Sequence, residues 1–148
     1  MEYFITIDGG TTNTRLSLVG DEKLLAQRRL PFGARLGGAE PRKYRDGIRD
    51  AIAELLSENR LTEGEITRIL ASGMITSENG ICHLPHTSLP AGIKELHATM
   101  HETVIPEISG IPFVFLRGLR TAADSLEDAD MMRGEETELL GLTEHLIR

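Results

Sequence analysis

At 148 residues the chain is long enough for one ordinary hydrophobic core and short for two. Apolar residues at 40% and charged residues at 26% describe a globular chain and exclude a disordered one. The 16 basic and 23 acidic residues leave a net charge of −7, which argues against nucleic acid or an anionic membrane as partner, because both demand a basic surface.

Tyr3–Ile7 is a short apolar, β-branched run and reads as a buried strand. A cluster of turn formers follows, Asp8-Gly9-Gly10-Thr11-Thr12-Asn13. Arg15–Val19 alternates, with Leu16 and Leu18 on one face, and after a Gly20-Asp21 turn Lys23–Leu30 reads as a third antiparallel strand. Gly33–Glu40 reads as a Gly-rich loop. Pro41 suits the first turn of a helix whose apolar face is Tyr44, Ile48, Ala51, Ile52, Leu55 and Leu56, with Gly47 weakening but not breaking it. Ile66–Ala71 is the next strand, and Ile75–Pro90 a long irregular stretch. Ile93, Leu96, His97 and Met100 predict a short helix, Val104–Ile108 and Pro112–Leu116 two strands, and Gly134 the start of a last helix. This β-β-β-α-β-α-β-β-α order predicts an α/β mixed sheet with three antiparallel N-terminal strands and helices packed on it, the order of the ribonuclease-H-like core.

Three segments could carry chemistry. In Asp8–Arg15, small residues let the backbone approach an anion, and the Thr and Asn side chains add donors. Asp-Gly alone would be a plain hairpin turn; the added donors favour phosphate, with Asp8 placed to hold Mg²⁺ through water. In Met131–Gly141, acids in a first helical turn could simply offset the macrodipole. Arg133-Gly134 beside Glu135 and Glu136 could equally bind an anion and orient a base. Leu70–Gly80 is rich in hydroxyls after a strand; such loops line ligand crevices, although alone it reads as a solvated loop.

Other clusters are weaker. His97 and His101 are spaced for one helix face but lack the zinc-protease pattern, and Cys82, His83 and His86 lack four-ligand spacing, so ordinary histidines are the better reading. A single cysteine permits no internal disulfide and makes a reducing, cytoplasmic location the expectation. Acids at positions 2 and 8 do not suit a signal peptide, and no apolar run approaches the ~18 residues of a membrane span.

Asp8–Arg15, Ser72-Gly73-Met74, Leu89-Pro90-Ala91-Gly92 and Met132-Arg133-Gly134-Glu135-Glu136-Thr137-Glu138-Leu139-Leu140-Gly141 occur in that order. Together they resemble the N-terminal half of the 2-dehydro-3-deoxygalactonokinase family, sugar-acid kinases of the actin-like ATPase superfamily. The first segment marks the superfamily and the last selects the family. The resemblance implies ATP-dependent phosphorylation of 2-dehydro-3-deoxy-D-galactonate at its terminal hydroxyl, in galactonate catabolism. It implies that residues 1–148 form a single N-terminal lobe, because the family is roughly twice as long, with two lobes. The adenosine-binding lobe would be absent from this chain, either because the chain is a fragment of a longer product or because another chain supplies that lobe; a homo-oligomer is the other partner expected, and the isolated chain would be inactive.

The roles expected within that reading are specific. Asp8 would hold Mg²⁺ or its waters. Gly9, Gly10, Thr11, Thr12 and Asn13 would hold ATP phosphate. Glu135 would be the general base, exchangeable in role with Glu136. Arg133 would pair the substrate carboxylate or steady the transferring phosphoryl. Ser72, Met74 and Ser77 would line the sugar pocket. Two alternatives remain. One is a non-catalytic ligand-binding module of the same fold. The other is a metal-dependent nuclease using Asp8 and Glu54, disfavoured by the acidic chain and by Ala71-Ser72-Gly73, which offers no acid at the fourth strand.

Overall fold

A computed structural model describes residues 2–85, 87–88, 93–120 and 131–132. Its strands are β1 (Tyr3–Gly9), β2 (Thr14–Gly20), β3 (Lys23–Leu30), β4 (Ile66–Gly73), β5 (Thr87–Ser88), β6 (His101–Ile105), β7 (Ser109–Phe115), β8 (Leu119–Arg120) and β9 (Met131–Met132). Its α-helices are α1 (Ala34–Ala39), α2 (Pro41–Glu58) and α3 (Ile93–Ala98). A mixed six-stranded sheet has the order β3-β2-β1-β4-β7-β6, and β5, β8 and β9 form a small second sheet. The β3-β2-β1 part is antiparallel, as expected; β1, β4 and β7 run parallel, and β6 is antiparallel to β7.

Alternation along β1 and β2 sends Ile5, Ile7, Leu16 and Leu18 to one face, where all four are buried. Ile5 pairs with Leu18 and Ile7 with Leu16, so a slip of one residue would turn the whole apolar set to the other face. Their cover is α2, whose Tyr44, Ile48, Ala51, Ile52, Leu55 and Leu56 belong to the same buried cluster, with Phe113 and Phe115 of β7. Pro41 opens α2, as expected. Gly47 has a packing reason, since a Cβ there would run into the Phe32 ring. On the same face Arg28 of β3 reaches α2, 2.7 Å from Glu58 and 3.3 Å from Glu54.

Three expectations need correction. The Gly33–Glu40 stretch is not only a loop, because Ala34–Ala39 is helical. Gly37 lies so close to the Asn79 carbonyl that a Cβ would collide with it, so tertiary packing holds a segment of poor intrinsic propensity. The strand expected over Val104–Ile108 is His101–Ile105, and the one expected over Pro112–Leu116 is Ser109–Phe115. Pro106 has no N–H to continue a ladder, and a tight turn follows in which Ile108 N donates to Ile105 O at 2.9 Å. The small second sheet has no sequence signal, because two-residue strands carry no period. The helix expected from Gly134 and the Leu89–Gly92 segment lie outside the described residues.

Because β1, β4 and β7 are parallel, their carboxyl ends share one edge of the sheet. The antiparallel β2 begins there and β3 ends there. That edge gathers the β1–β2 loop, the Pro31–Ala39 segment and the residues after β4. No described helix is long and apolar enough to cross a membrane.

Candidate functional site

The β1–β2 loop is pinned from within and from α1. Gly10 N donates to Asn13 O at 2.8 Å, while Ala34 N donates to Gly10 O and Arg35 N to Thr11 O, each at 3.0 Å. These bonds consume carbonyls and leave the side chains of Thr11, Thr12 and Asn13 exposed. Asn13 Nδ2 donates to Thr12 Oγ1 at 3.2 Å. Thr14 is buried and its hydroxyl donates to Phe32 O at 2.8 Å, tying the start of β2 to the end of β3. Gly33 is required by close approach, since a Cβ would run into the Gly10 carbonyl oxygen.

Asp8 is half-exposed on the sheet face away from α2. Arg15, directly opposite it in the β1–β2 register, places Nη2 3.0 Å from Asp8 Oδ2. Oδ1 has no partner among the described residues. One open carboxylate oxygen beside a Gly-Thr-Thr-Asn loop suits Mg²⁺, which keeps most of its water and takes few protein carboxylates. No group of three His, Cys, Asp or Glu side chains able to hold a metal ion occurs among the described residues. Asp8 therefore forms no carboxylate cluster with Glu54, which pairs with Arg28 against α2.

Ser72 is the parallel-strand neighbour of Asp8, and Gly73 that of Gly9. Gly73 has φ +90°, a conformation other residues rarely adopt, and a Cβ there would lie 2.5 Å from Gly9 O. It turns the chain into a 3₁₀ turn, Met74–Thr76, that runs over the end of β1. Here hydroxyls are used internally. Thr76 Oγ1 donates to Gly73 O at 3.0 Å and Ser77 Oγ to Met74 O at 2.6 Å. Ser77 is buried, so it shapes the turn, while Ser72 and Met74 stay half-exposed.

A cleft of about 350 Å³ opens beside the loop, lined by Thr11, Thr12, Pro31, Phe32, Arg35 and Leu36 among others. Arg35 is exposed and makes no ion pair among the described residues.

Thus Asp8, the Gly9–Asn13 loop, Ser72, Met74 and Ser77 come together at one edge, while Arg133, Glu135 and Glu136 lie outside the described residues. The sequence reading missed two cations. Arg15 was legible: a four-residue loop in an antiparallel pair puts residues 8 and 15 opposite each other. Arg35 lay in a stretch read as loop and had no periodic signal. Cys82 is half-buried; burial pushes its thiol up, partly offset by Arg117 and Arg45.

The sequence model of the 2-keto-3-deoxy-galactonokinase family matches residues 8–147. The probable 2-dehydro-3-deoxygalactonokinase DgoK1 of Rhizobium meliloti (strain 1021) is 28% identical over 145 residues, covering 97% of this chain and 43% of the relative. A crystal structure from Sinorhizobium meliloti, assigned as a 2-dehydro-3-deoxygalactonokinase, superposes with a TM-score of 0.75 at 26% identity, again over 97% of this chain and 43% of that one. The chain thus spans less than half the length of these relatives. With the loop, the sheet edge and this match over nearly all of its residues, the chain belongs to the 2-keto-3-deoxy-galactonokinase family.

Proposed function

We propose that this chain is the sugar-acid half of a kinase that transfers the γ-phosphoryl of ATP to the terminal hydroxyl of 2-dehydro-3-deoxy-D-galactonate. The observation that carries this reading is the meeting of Asp8, the Gly9–Asn13 loop and Ser72 at the carboxyl edge of the sheet, where open α/β sheets bind ligands. On this reading the lobe is ribonuclease-H-like, and adenosine is held by a second lobe or a partner chain.

Phosphoryl transfer asks the protein mainly to position groups and to stabilise charge. The exposed Thr11, Thr12 and Asn13 side chains, with nearby backbone N–H groups, would hold phosphate oxygens. Arg15 fixes one oxygen of Asp8, and the other would hold Mg²⁺ through its waters. Bound Mg²⁺ would neutralise phosphate charge. Ser72 and Met74 would line the sugar pocket, and Ser77 would hold its wall in shape. Glu135, or Glu136 in its place, would accept the hydroxyl proton as the new P–O bond forms. Arg133 would steady the transferring phosphoryl or pair with the carboxylate. The reaction gives 2-dehydro-3-deoxy-6-phosphogalactonate and ADP, in the cytoplasm.

The test is product identification. The full-length protein, ATP, Mg²⁺ and the sugar acid should yield one phosphomonoester on the terminal carbon by ³¹P and ¹³C NMR. A product phosphorylated elsewhere, or none, refutes the assignment.

A further inference from the structure

We propose that Arg35 binds the carboxylate of the sugar acid, and that the cleft beside it sets the preference for acids over neutral sugars. This rests on the kinase reading above and names a recognition residue for it. Among the described residues, Arg35 is the one charged residue lining the cleft of about 350 Å³. It is exposed, and no carboxylate among the described residues neutralises it. Its backbone N–H is fixed to Thr11 O at 3.0 Å, so the residue sits at a set place against the candidate phosphate loop.

The lining discriminates between anions. Pro31, Phe32, Leu36 and Ala39 are the apolar part of the lining, and Thr11 and Thr12 carry its hydroxyls. One cation matches a singly charged carboxylate, with the Thr11 and Thr12 hydroxyls left to phosphate as above. The several charges of a nucleotide's polyphosphate call instead for a metal ion, which the reading above assigns to Asp8. The apolar wall suits the deoxy carbon of a keto-deoxy acid, which offers no hydroxyl to a polar partner. Arg can also grip a carboxylate through two parallel N–H donors, which Lys cannot. With the carboxylate on Arg35, Arg133 is left for the phosphoryl group.

The test compares the full-length protein with Arg35→Gln and Arg35→Lys, titrated with 2-dehydro-3-deoxygalactonate and with its uncharged amide, without ATP. Loss of a charge-assisted bond should weaken acid binding about 10–100-fold in Arg35→Gln. Arg35→Lys should recover part of it. Binding of the amide should be the same in all three proteins. The KM for ATP should not move, and kcat at saturating acid should stay near normal. Since Arg35 is exposed, an unchanged melting curve confirms folding. Unchanged acid affinity in Arg35→Gln overturns the proposal while leaving the kinase reading intact. A rise in KM for ATP alone moves Arg35 to the phosphate site and also overturns it. Failure of the wild-type protein to bind the acid at all removes both readings.

Discussion

Asp8 and Arg15 face one another across the β1–β2 pair, with Nη2 of Arg15 3.0 Å from Oδ2 of Asp8. The side chains are 48% and 41% exposed, so water screens the pair and its part in stability is small, at most ~1 kcal/mol. Its consequence is orientation. Arg15→Gln should lower the melting temperature by no more than a few degrees while raising the Mg²⁺ concentration for half-maximal rate several-fold. Thermal melts and a Mg²⁺ titration of the rate check this, and an unchanged Mg²⁺ dependence would detach Arg15 from the ion.

Removing the charge of Asp8 itself should be far more severe. Asp8→Asn keeps the shape but withdraws the carboxylate on which the proposed Mg²⁺ site depends. Most of kcat should disappear, with sugar-acid affinity nearly unchanged. Steady-state kinetics with a separate binding titration distinguish the two. Normal turnover at saturation with poor affinity would assign Asp8 to the sugar instead.

The backbone at Gly73 offers a test of the scaffold. Its φ of +90° and its approach to Gly9 O leave no room for a Cβ, so Gly73→Ala should cost about 1–3 kcal/mol in urea unfolding. Gly64→Ala is the control: the nearest atom to a Cβ there is 3.9 Å away, and stability should hardly change. Equal effects at the two sites would contradict the strained turn.

The sequence already carries the antiparallel hairpins, α2 and the position of Asp8, because period-2 and period-3.6 patterns with Gly-rich punctuation are local signals. What it hid depends on contacts distant in the chain. α1 is short and contains Gly37 and Gly38, and it is held by the Gly10 and Thr11 carbonyls and by the Asn79 segment. Ser77 reads as a pocket hydroxyl, and its bond to Met74 O, which ties it to the turn, carries no signal in the sequence. The end of β6 at Ile105 follows from Pro106, a strand stop that the sequence itself contains.

Tyr44 supplies a pH test. Its hydroxyl is buried and completes no hydrogen bond of ordinary geometry among the described residues; the Thr14 hydroxyl, which only partly favours its ionised form, already donates to Phe32 O. Burial therefore pushes Tyr44 above its ordinary value of 10.0. The native state keeps this proton longer than the unfolded chain. Its stabilisation is full below pH 10 and is lost as the pH climbs towards the raised value. The urea midpoint of the wild type should thus fall more steeply above pH 10 than that of Tyr44→Phe. Parallel curves would show that Tyr44 ionises freely.

Arg133 and Glu135 should separate by kinetic signature. If Glu135 is the base, Glu135→Gln should cut kcat by roughly 10²–10⁴-fold with little change in binding. Arg133→Ala should lower kcat if it steadies the phosphoryl, and raise the Kd of the acid about 10–100-fold if it holds the carboxylate. Near-normal kcat in Glu135→Gln passes the role of base to Glu136.

The most direct measurement is coupled ADP release by the full-length protein with Mg·ATP and 2-dehydro-3-deoxygalactonate, beside Asp8→Asn. The predicted result is one ADP per sugar acid consumed, saturable in the acid and nearly abolished in the variant. Equal ADP release with and without the sugar acid, or full activity in Asp8→Asn, would contradict the assignment of phosphoryl transfer to this edge of the sheet.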